Sequence, residues 1–178
     1  GVAIAHNSLF LDFSENLDTS TVIYVAAVSG IDDDSLTYTL TGTDASLLKI
    51  DSTTGEVTLN ASPDYETRDQ YLFSVIATDT GGLTDSLDVT LDVTDLNETP
   101  GITSSGVTDA TQDTVYSYTL AYNDVDAGDT LTLSNSTLSS WLNFDTTSGV
   151  LSGTPTNDDV GSHDVTLTVI DTEGLTGS

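Results

Sequence analysis

A short motif that occurs twice, 94 residues apart, is the feature that most limits how this chain can fold. Residues 50–57 read IleAspSerThrThrGlyGluVal and residues 144–151 read PheAspThrThrSerGlyValLeu, so that Asp51 matches Asp145. Sequence repeats of this period are typical of tandem supersecondary or domain units. A chain of 178 residues can hold two small domains. We therefore predict two modules, residues 1–98 and 101–178, with a linker over residues 95–100.

The hydrophobic periodicity is two, which indicates β-strands. Residues 87–93 alternate strictly between apolar and polar side chains, and residues 36–40, 116–120 and 165–169 have the same pattern. The pairs Thr54-Gly55 and Ser148-Gly149 are suited to hairpin turns, because glycine adopts positive φ at no steric cost. No stretch has the period of a long amphipathic helix. The chain is predicted to be all-β, forming two tandem Greek-key β-sandwiches of the Ig-like type, joined end to end.

The charge of the chain excludes several classes of partner. It has 2 Lys and Arg against 29 Asp and Glu, for a formal net charge of −27. Nucleic acids and anionic membrane surfaces need clustered basic residues, so we expect neither as a partner. The longest apolar run, residues 22–28, is far shorter than the ~20 residues that cross a bilayer, and no direct insertion into a membrane is expected. With no cysteine, the chain has no disulfide framework and no thiolate metal site, so its stability must come from packing, to which a bound metal could add.

Several of the acids lie where strands are predicted to end, and such loops suit calcium. Calcium takes six to eight oxygen ligands, several of them carboxylates, in loosely defined geometry. The predicted Ca²⁺ ligands are Glu15, Asp64, Glu66, Asp95, Asn97 and Glu98 in the first module and its linker, and Asp124, Asp126 and Asp171 in the second.

The first module resembles the cadherin repeat. Glu15-Asn16, the motif IleAspSerThrThrGlyGluVal, ProAspTyrGlu at residues 63–66, AlaThrAspThrGlyGly at residues 77–82 and the linker AspLeuAsnGluThrPro each resemble a cadherin motif. The resemblance implies that the nine residues above enclose calcium ions between the two modules and stiffen the junction. It also implies that Asp32, Asp34 and Asp79 face a preceding module, although Gly30 replaces one of the expected acids there.

The second module is similar to the dystroglycan-type cadherin-like domain, which is grouped with bacterial Ig-like domains. The residues that carry the similarity are AspValAspAlaGlyAspThrLeuThrLeu, SerTrpLeuAsnPheAsp and LeuSerGlyThrProThrAsnAspAspValGly. Compared with the first module, the second is expected to lack its last strand. Such pairs of modules resemble large bacterial surface proteins, and we expect an extracellular or cell-surface location in a bacterium.

The residues needed for catalysis are not evident. His6 and His163 lie in different modules, and neither Gly-x-Ser-x-Gly nor His-Glu-x-x-His occurs. Asp64 and Glu66 could serve as a glycosidase pair only across a cleft. We predict that the chain is not an enzyme.

Three functions remain open. The first is calcium-dependent cell adhesion, or a calcium-rigidified extender, with other cadherin-like modules as partners. The second is a calcium-dependent carbohydrate-binding module for a surface polysaccharide, and the third is calcium-dependent self-association. Trp141 is expected to pack in the core rather than to bind sugar, and Tyr65 and Tyr122 are the candidates for exposed contacts. Four further tyrosines are expected to pack inside the modules: Tyr24, Tyr38, Tyr116 and Tyr118.

Overall fold

The computed structural model describes residues 3–5, 12–29 and 35–178. These residues form two compact units, Gly1–Leu96 and Asn97–Ser178, hereafter the first and second unit. The predicted boundaries, with a linker over residues 95–100, stay a prediction. In the described part of the chain the regular structure is β-strand apart from two short 3₁₀ turns, Ala45–Leu47 and Asn157–Asp159. No helix among these residues is long and apolar enough to cross a bilayer.

The first unit consists of two main sheets and a small ribbon. A four-stranded sheet has the order β2-β9-β8-β5, a three-stranded sheet has the order β3-β7-β6, and β1 pairs with β4. The strands are β1 (Ala3–Ala5), β2 (Asp12–Ser14), β3 (Tyr24–Val25), β4 (Ala27–Ser29), β5 (Leu36–Thr41), β6 (Leu48–Ile50), β7 (Glu56–Leu59), β8 (Gln70–Asp79) and β9 (Thr84–Thr94). All pairings are antiparallel except that of β2 with β9, which is parallel.

The second unit repeats this plan with shorter strands. One sheet has the order β11-β15-β14, another has the order β13-β16-β17, and β10 pairs with β12. The strands are β10 (Gly101–Ile102), β11 (Tyr116–Thr119), β12 (Tyr122–Asn123), β13 (Thr132–Asn135), β14 (Leu142–Asp145), β15 (Val150–Gly153), β16 (Leu167–Ile170) and β17 (Thr176–Gly177). Each of these pairings is antiparallel.

The predicted all-β fold is confirmed, and the alternating pattern places the core as expected. In β9 the side chains of Val89, Leu91 and Val93 are buried while those of Asp88, Thr90 and Asp92 are exposed. Successive side chains of a strand point to opposite faces, so one face of β9 packs inside the unit. One correction concerns residues 165–169, because β16 begins only at Leu167.

The internal repeat corresponds to a repeated turn. Asp51 Oδ1 accepts hydrogen bonds from the backbone N–H groups of Thr53 and Thr54, at 2.8 and 2.9 Å. Asp145 Oδ1 does the same for Thr147 and Ser148, at 2.9 and 3.4 Å. The glycine within each motif has positive φ, 74° at residue 55 and 72° at residue 149, as the turn prediction required.

The two units differ in how well their cores are filled. Among the described residues, the first has 15 buried apolar residues in one cluster. In the second, the cluster has only three buried residues, Leu120, Phe144 and Leu151, surrounded by partly buried ones, and Val169 is buried outside it. Tyr24 and Tyr38 are buried in the first cluster, and Tyr116 and Tyr118 pack partly buried against the second, as predicted. A cavity of about 1030 Å³ lies within the second unit.

Candidate metal centres

Glu15 is a buried carboxylate at the end of the first unit where β2 and β9 finish. Only 3% of it is exposed. Its Oε2 accepts a hydrogen bond from the backbone N–H of Tyr65 at 2.9 Å, and its Oε1 accepts one from Leu96 at 2.8 Å. One side chain therefore joins the end of β2 to two other segments, the loop after Pro63 and the chain that leaves β9.

Two further acids approach Glu15. Carboxylate oxygens of Glu15, Glu66 and Asp95 lie within 4.8 Å of one another. Asp64, which was predicted to join them, stands outside this group: its Oδ1 and Oδ2 accept hydrogen bonds from the N–H and hydroxyl of Thr67, at 3.1 and 3.0 Å. Asp64 thus closes the local turn with the oxygens that the prediction assigned to calcium.

In the second unit, the acids that follow β12 form a second group. Oxygens of Asp124, Asp126 and Asp129 lie within 4.8 Å of one another. Asp126 Oδ2 accepts a hydrogen bond from the backbone N–H of Glu98 at 2.8 Å. One oxygen of each of the three aspartates, Asp124 Oδ2, Asp126 Oδ1 and Asp129 Oδ2, is buried and has no hydrogen-bond partner among the described residues. Buried carboxylate oxygens without a donor are costly, and a cation would satisfy them.

A third group shares Asp129 with the second. Oxygens of Asp129, Asp171 and Glu173 lie within 4.8 Å of one another. Asp171 is 5% exposed, and its Oδ2 accepts a hydrogen bond from Asn97 Nδ2 at 2.8 Å. Its Oδ1 accepts two more from the backbone of Gly174 and Leu175, at 2.6 and 2.7 Å.

In this third group the pKa values of Asp171 and Glu173 are shifted in opposite directions. Burial acts to raise the pKa of Asp171, but the hydrogen bonds from Asn97 and from the backbone of residues 173–175 outweigh it and hold that pKa below its ordinary value. Burial raises the pKa of Glu173, and the negative charges of Asp129 and Asp171 raise it further. The negative charges of Asp129 and Asp171 therefore repel that of Glu173, and a divalent cation would relieve that repulsion.

The structure includes ligand candidates that the sequence did not indicate. Asp129 and Glu173 were not predicted, although both stand close to predicted ligands, three residues after Asp126 and two after Asp171. Asp79, expected to face another module, accepts a hydrogen bond at Oδ1 from Leu83 N–H, at 2.9 Å. Asp32 and Asp34 lie outside the described residues.

Three aromatic residues are placed differently from the expectation. Tyr65 and Tyr122, the candidates for exposed contact, are partly buried and pack against the two apolar clusters. Trp141, expected in the core, is half-buried at the cavity, with its ring 6.0 Å from that of Tyr116 and 5.7 Å from that of His163. His163 also contacts Ser139 through Nδ1 at 2.7 Å.

The first unit contains an ion pair that was not predicted from the sequence, between a buried aspartate and an arginine whose side chain is 39% exposed. Asp44 is 4% exposed, and its Oδ1 lies 2.7 Å from a guanidinium nitrogen of Arg68. Its Oδ2 accepts a hydrogen bond from Leu72 N–H at 2.8 Å. The sequence offers one indication of this pair: Arg68 is one of only two Lys and Arg residues in a strongly acidic chain.

Known proteins resemble the chain in sequence and in fold. Mouse (Mus musculus) Cadherin-17 is 41% identical over 80 residues, which cover 43% of this chain and 10% of that protein. The chain therefore matches about a tenth of the length of this relative. Human Protocadherin-24 EC1-2 superposes with a TM-score of 0.70 at 18% identity, covering 98% of this chain and 88% of that one. Drosophila N-cadherin EC1-4 gives 0.68 at 21% identity, covering 99% and 47%.

Two family models divide the sequence between them. The Cadherin domain model matches residues 11–94, and the Putative Ig domain model matches residues 99–178. The relatives named above are animal proteins, and the expected bacterial origin has no support among them. Both modules of the predicted architecture are thus confirmed, and the chain carries a cadherin domain followed by a Putative Ig domain.

Proposed function

We propose that this chain is a calcium-binding tandem module of an extracellular adhesion protein. The observation that carries the proposal is the set of buried oxygens of Asp124, Asp126 and Asp129 that have no hydrogen-bond donor in the described part of the chain. They stand in a group whose ligand atoms are within 4.8 Å of one another. A site composed only of carboxylates is suited to a hard cation such as calcium, and its loose spacing is less suited to the strict octahedron of magnesium.

In the first unit, calcium would be held by Glu15, Glu66 and Asp95. These residues follow β2, precede β8 and follow β9, so one ion would tie three separate segments of the unit together. In the second unit, Asp124, Asp126 and Asp129 would hold one ion, and Asp129, Asp171 and Glu173 would supply ligands for another. That ions are shared across the linker, with Asn97 and Glu98 as ligands, stays a prediction.

The chemistry that calcium supplies here is charge neutralisation. The chain carries a net charge of −27, and its acid groups converge at chain segments that leave or enter strands. Neutralising those groups removes the repulsion that would otherwise open the loops. We infer that the metal stiffens these loops and that the module serves calcium-dependent adhesion, with cadherin-like modules as partners. An extracellular location follows from the same proposal, since extracellular modules work at calcium concentrations of ~10⁻⁴ to 10⁻³ M.

Calorimetric titration of the chelated chain with calcium tests the proposal. We expect saturable binding in the ~10⁻⁴ to 10⁻³ M range that magnesium does not reproduce. Glu66→Gln should remove or weaken binding at the first unit, and Asp126→Asn at the second, each by at least about tenfold, because each loses a charged ligand.

Matched controls remove one charge elsewhere in the same unit. Glu56→Gln and Asp158→Asn alter exposed acids outside the three groups and should leave the titration unchanged. An equal loss in all four variants would show that calcium only screens the net charge. No difference between calcium and magnesium would remove the basis for a calcium-dependent role.

A further inference from the structure

The loop that carries Glu66, residues 63–69, is attached to the rest of the first unit on both sides of that residue. On the upstream side, Pro63 is fully buried. The backbone N–H of Tyr65 donates a hydrogen bond to Glu15 Oε2 at 2.9 Å. The first half of the loop is therefore fixed against the buried carboxylate with which Glu66 forms an acid group.

Arg68 fixes the second half of the loop. Its Nη1 donates to Asp44 Oδ1 at 2.7 Å, and its backbone N–H donates to the carbonyl oxygen of Asp64, four residues earlier, at 2.9 Å. The guanidinium carbon lies 5.5 Å from the centre of the Tyr71 ring, within the range of a cation–π contact. Arg68 thus closes the loop with its backbone and attaches it to another part of the unit with its side chain.

Asp44 is a firm point of attachment. It is buried, and it is joined twice to β8, since its backbone N–H donates to Leu72 C=O at 2.9 Å and its Oδ2 accepts from Leu72 N–H at 2.8 Å. A buried carboxylate needs hydrogen bonds and a paired charge, and Arg68 supplies that charge. The ion pair therefore attaches the loop to the four-stranded sheet rather than to another loop.

The sign of its charge makes Arg68 unexpected at this place. It stands two residues after Glu66, whose carboxylate lies within 4.8 Å of those of Glu15 and Asp95. A positive charge close to such a group opposes the binding of a metal cation by electrostatic repulsion. The only other Lys or Arg in the chain is Lys49, which is exposed in β6. If Arg68 favours metal binding, it must do so through geometry and against its own charge.

We propose that Arg68 is a positioning residue for the acid group of the first unit: through Asp44 it fixes residues 63–69 in the metal-free protein, with the Glu66 carboxylate already beside that of Glu15. The ligand role of Glu66 rests on the proposed function, whereas the positioning requires no metal. Ordering a loop on binding is a cost that is subtracted from the binding free energy, and a loop that is already ordered avoids it. Arg68 thereby strengthens calcium binding.

Amide hydrogen exchange of the chelated protein, measured by mass spectrometry, tests the positioning. Arg68→Met keeps an unbranched side chain near Tyr71 but leaves the charge of Asp44 buried and unpaired, which destabilises the whole unit. The double variant Asp44→Asn/Arg68→Met removes both charges and keeps an oxygen that can accept from Leu72 N–H. In the double variant we expect exchange in residues 63–69 to become about tenfold faster, while exchange in β8 and β9 stays within about twofold of the parent.

The same exchange, followed against calcium concentration, tests the consequence for the metal. In the double variant the midpoint for protection of residues 63–69 should rise about tenfold in calcium concentration, because binding must now order the loop, and the midpoint for residues 124–129 should not move. Loss of the Arg68 charge alone predicts the opposite, a lower midpoint. Arg68→Lys, which keeps a charge that can reach Asp44, should restore most of the parent behaviour.

Lys49→Met is the matched control, since it removes the other positive charge from an exposed position in the same unit. It should leave the exchange and both midpoints within about twofold of the parent.

Three results would overturn the proposal. They are parent-like exchange of residues 63–69 in the chelated double variant, an equal acceleration throughout the first unit, which would show that the ion pair contributes stability alone, and a calcium midpoint at residues 63–69 that is unchanged or lower. A parent chain whose exchange does not respond to calcium would contradict the proposed function, and the exchange of the chelated proteins would still decide whether Arg68 positions the loop.

Discussion

Asp79 and Asp171 hold equivalent turns in the two units. Oδ1 of Asp79 accepts a hydrogen bond from Leu83 N–H at 2.9 Å, and Oδ1 of Asp171 accepts one from Leu175 N–H at 2.7 Å. Both carboxylates are buried, with 9% and 5% exposure. In the second unit the same side chain also belongs to an acid group, with Asp129 and Glu173. One residue type therefore closes a turn in both units, and in the second unit it also stands in a group of acids; the predicted ligand role of Asp79 stays a prediction.

Because Asp171 both closes a turn and belongs to an acid group, two different substitutions can separate these two roles. Asp171→Asn keeps an oxygen that can accept from Leu175 while removing the charge, so we expect the second unit to remain folded and its calcium affinity to fall at least about tenfold. Asp171→Ala loses the turn as well and should also lower the melting midpoint followed by Trp141. The control is Asp79→Asn, which should leave calcium binding by the second unit unchanged. Unaltered affinity in Asp171→Asn would exclude this residue as a ligand.

Glu15 should stabilise the first unit even without metal. Glu15→Ala leaves two backbone N–H groups, those of Tyr65 and Leu96, without their acceptor, which we expect to cost about 2–4 kcal/mol of unfolding free energy. Glu15→Gln keeps one acceptor oxygen and should cost less. Urea unfolding of chelated protein, followed by circular dichroism, measures both. A loss that occurs only in the presence of calcium would show that the role is purely that of a ligand.

The turn glycines should not tolerate a side chain. A Cβ on Gly55 would lie 3.0 Å from the Cβ of Ala26, and one on Gly149 would lie 3.3 Å from the carbonyl oxygen of Leu120. Together with their positive φ, this predicts that each change to alanine costs about 1–2 kcal/mol. Gly106→Ala is the control, since a Cβ there meets no described atom within 4 Å. Thermal unfolding compares the three, and equal midpoints would contradict the prediction.

Glu173 should make the metal-free second unit depend on pH. Because the pKa of Glu173 is raised by burial and then by Asp129 and Asp171, the folded state binds its proton more tightly than the unfolded state does. Its contribution therefore favours folding at pH below the ordinary pKa and is lost as the pH rises through the raised value.

Glu173→Gln removes that dependence. In calcium-free buffer the variant should melt higher than the parent at about pH 7, and the difference should disappear at about pH 3.5, where the parent side chain is protonated. Saturating calcium should reverse the order at pH 7, because the variant then lacks a ligand. The melting of Trp141 fluorescence measures this, and a difference that does not vary with pH would speak against the repulsion between Glu173 and its two acidic neighbours as its cause.

Much of the fold could be predicted from local patterns. The alternation in residues 87–93 establishes a strand with one buried face, because side-chain direction in a strand reverses at every residue. The repeated motif at Asp51 and Asp145 predicts the same turn twice, because its hydrogen bonds join residues two and three positions apart. The family resemblance rests on motifs of the same local kind, and the order that it suggested, a cadherin domain followed by an Ig-like domain, is confirmed.

Which acids meet was decided by the tertiary structure. Asp64 and Glu66 are two residues apart, yet only Glu66 joins Glu15 and Asp95, because Asp64 binds Thr67 in its own turn. Asp129 and Glu173 come together although 44 positions separate them in the sequence. Tyr65 and Tyr122 also pack inward, which the local sequence could not predict, because the residues that cover a loop side chain come from strands distant in the sequence. The sequence by itself determined the strands, the turns and the two modules, whereas long-range strand pairing decided which acids come together.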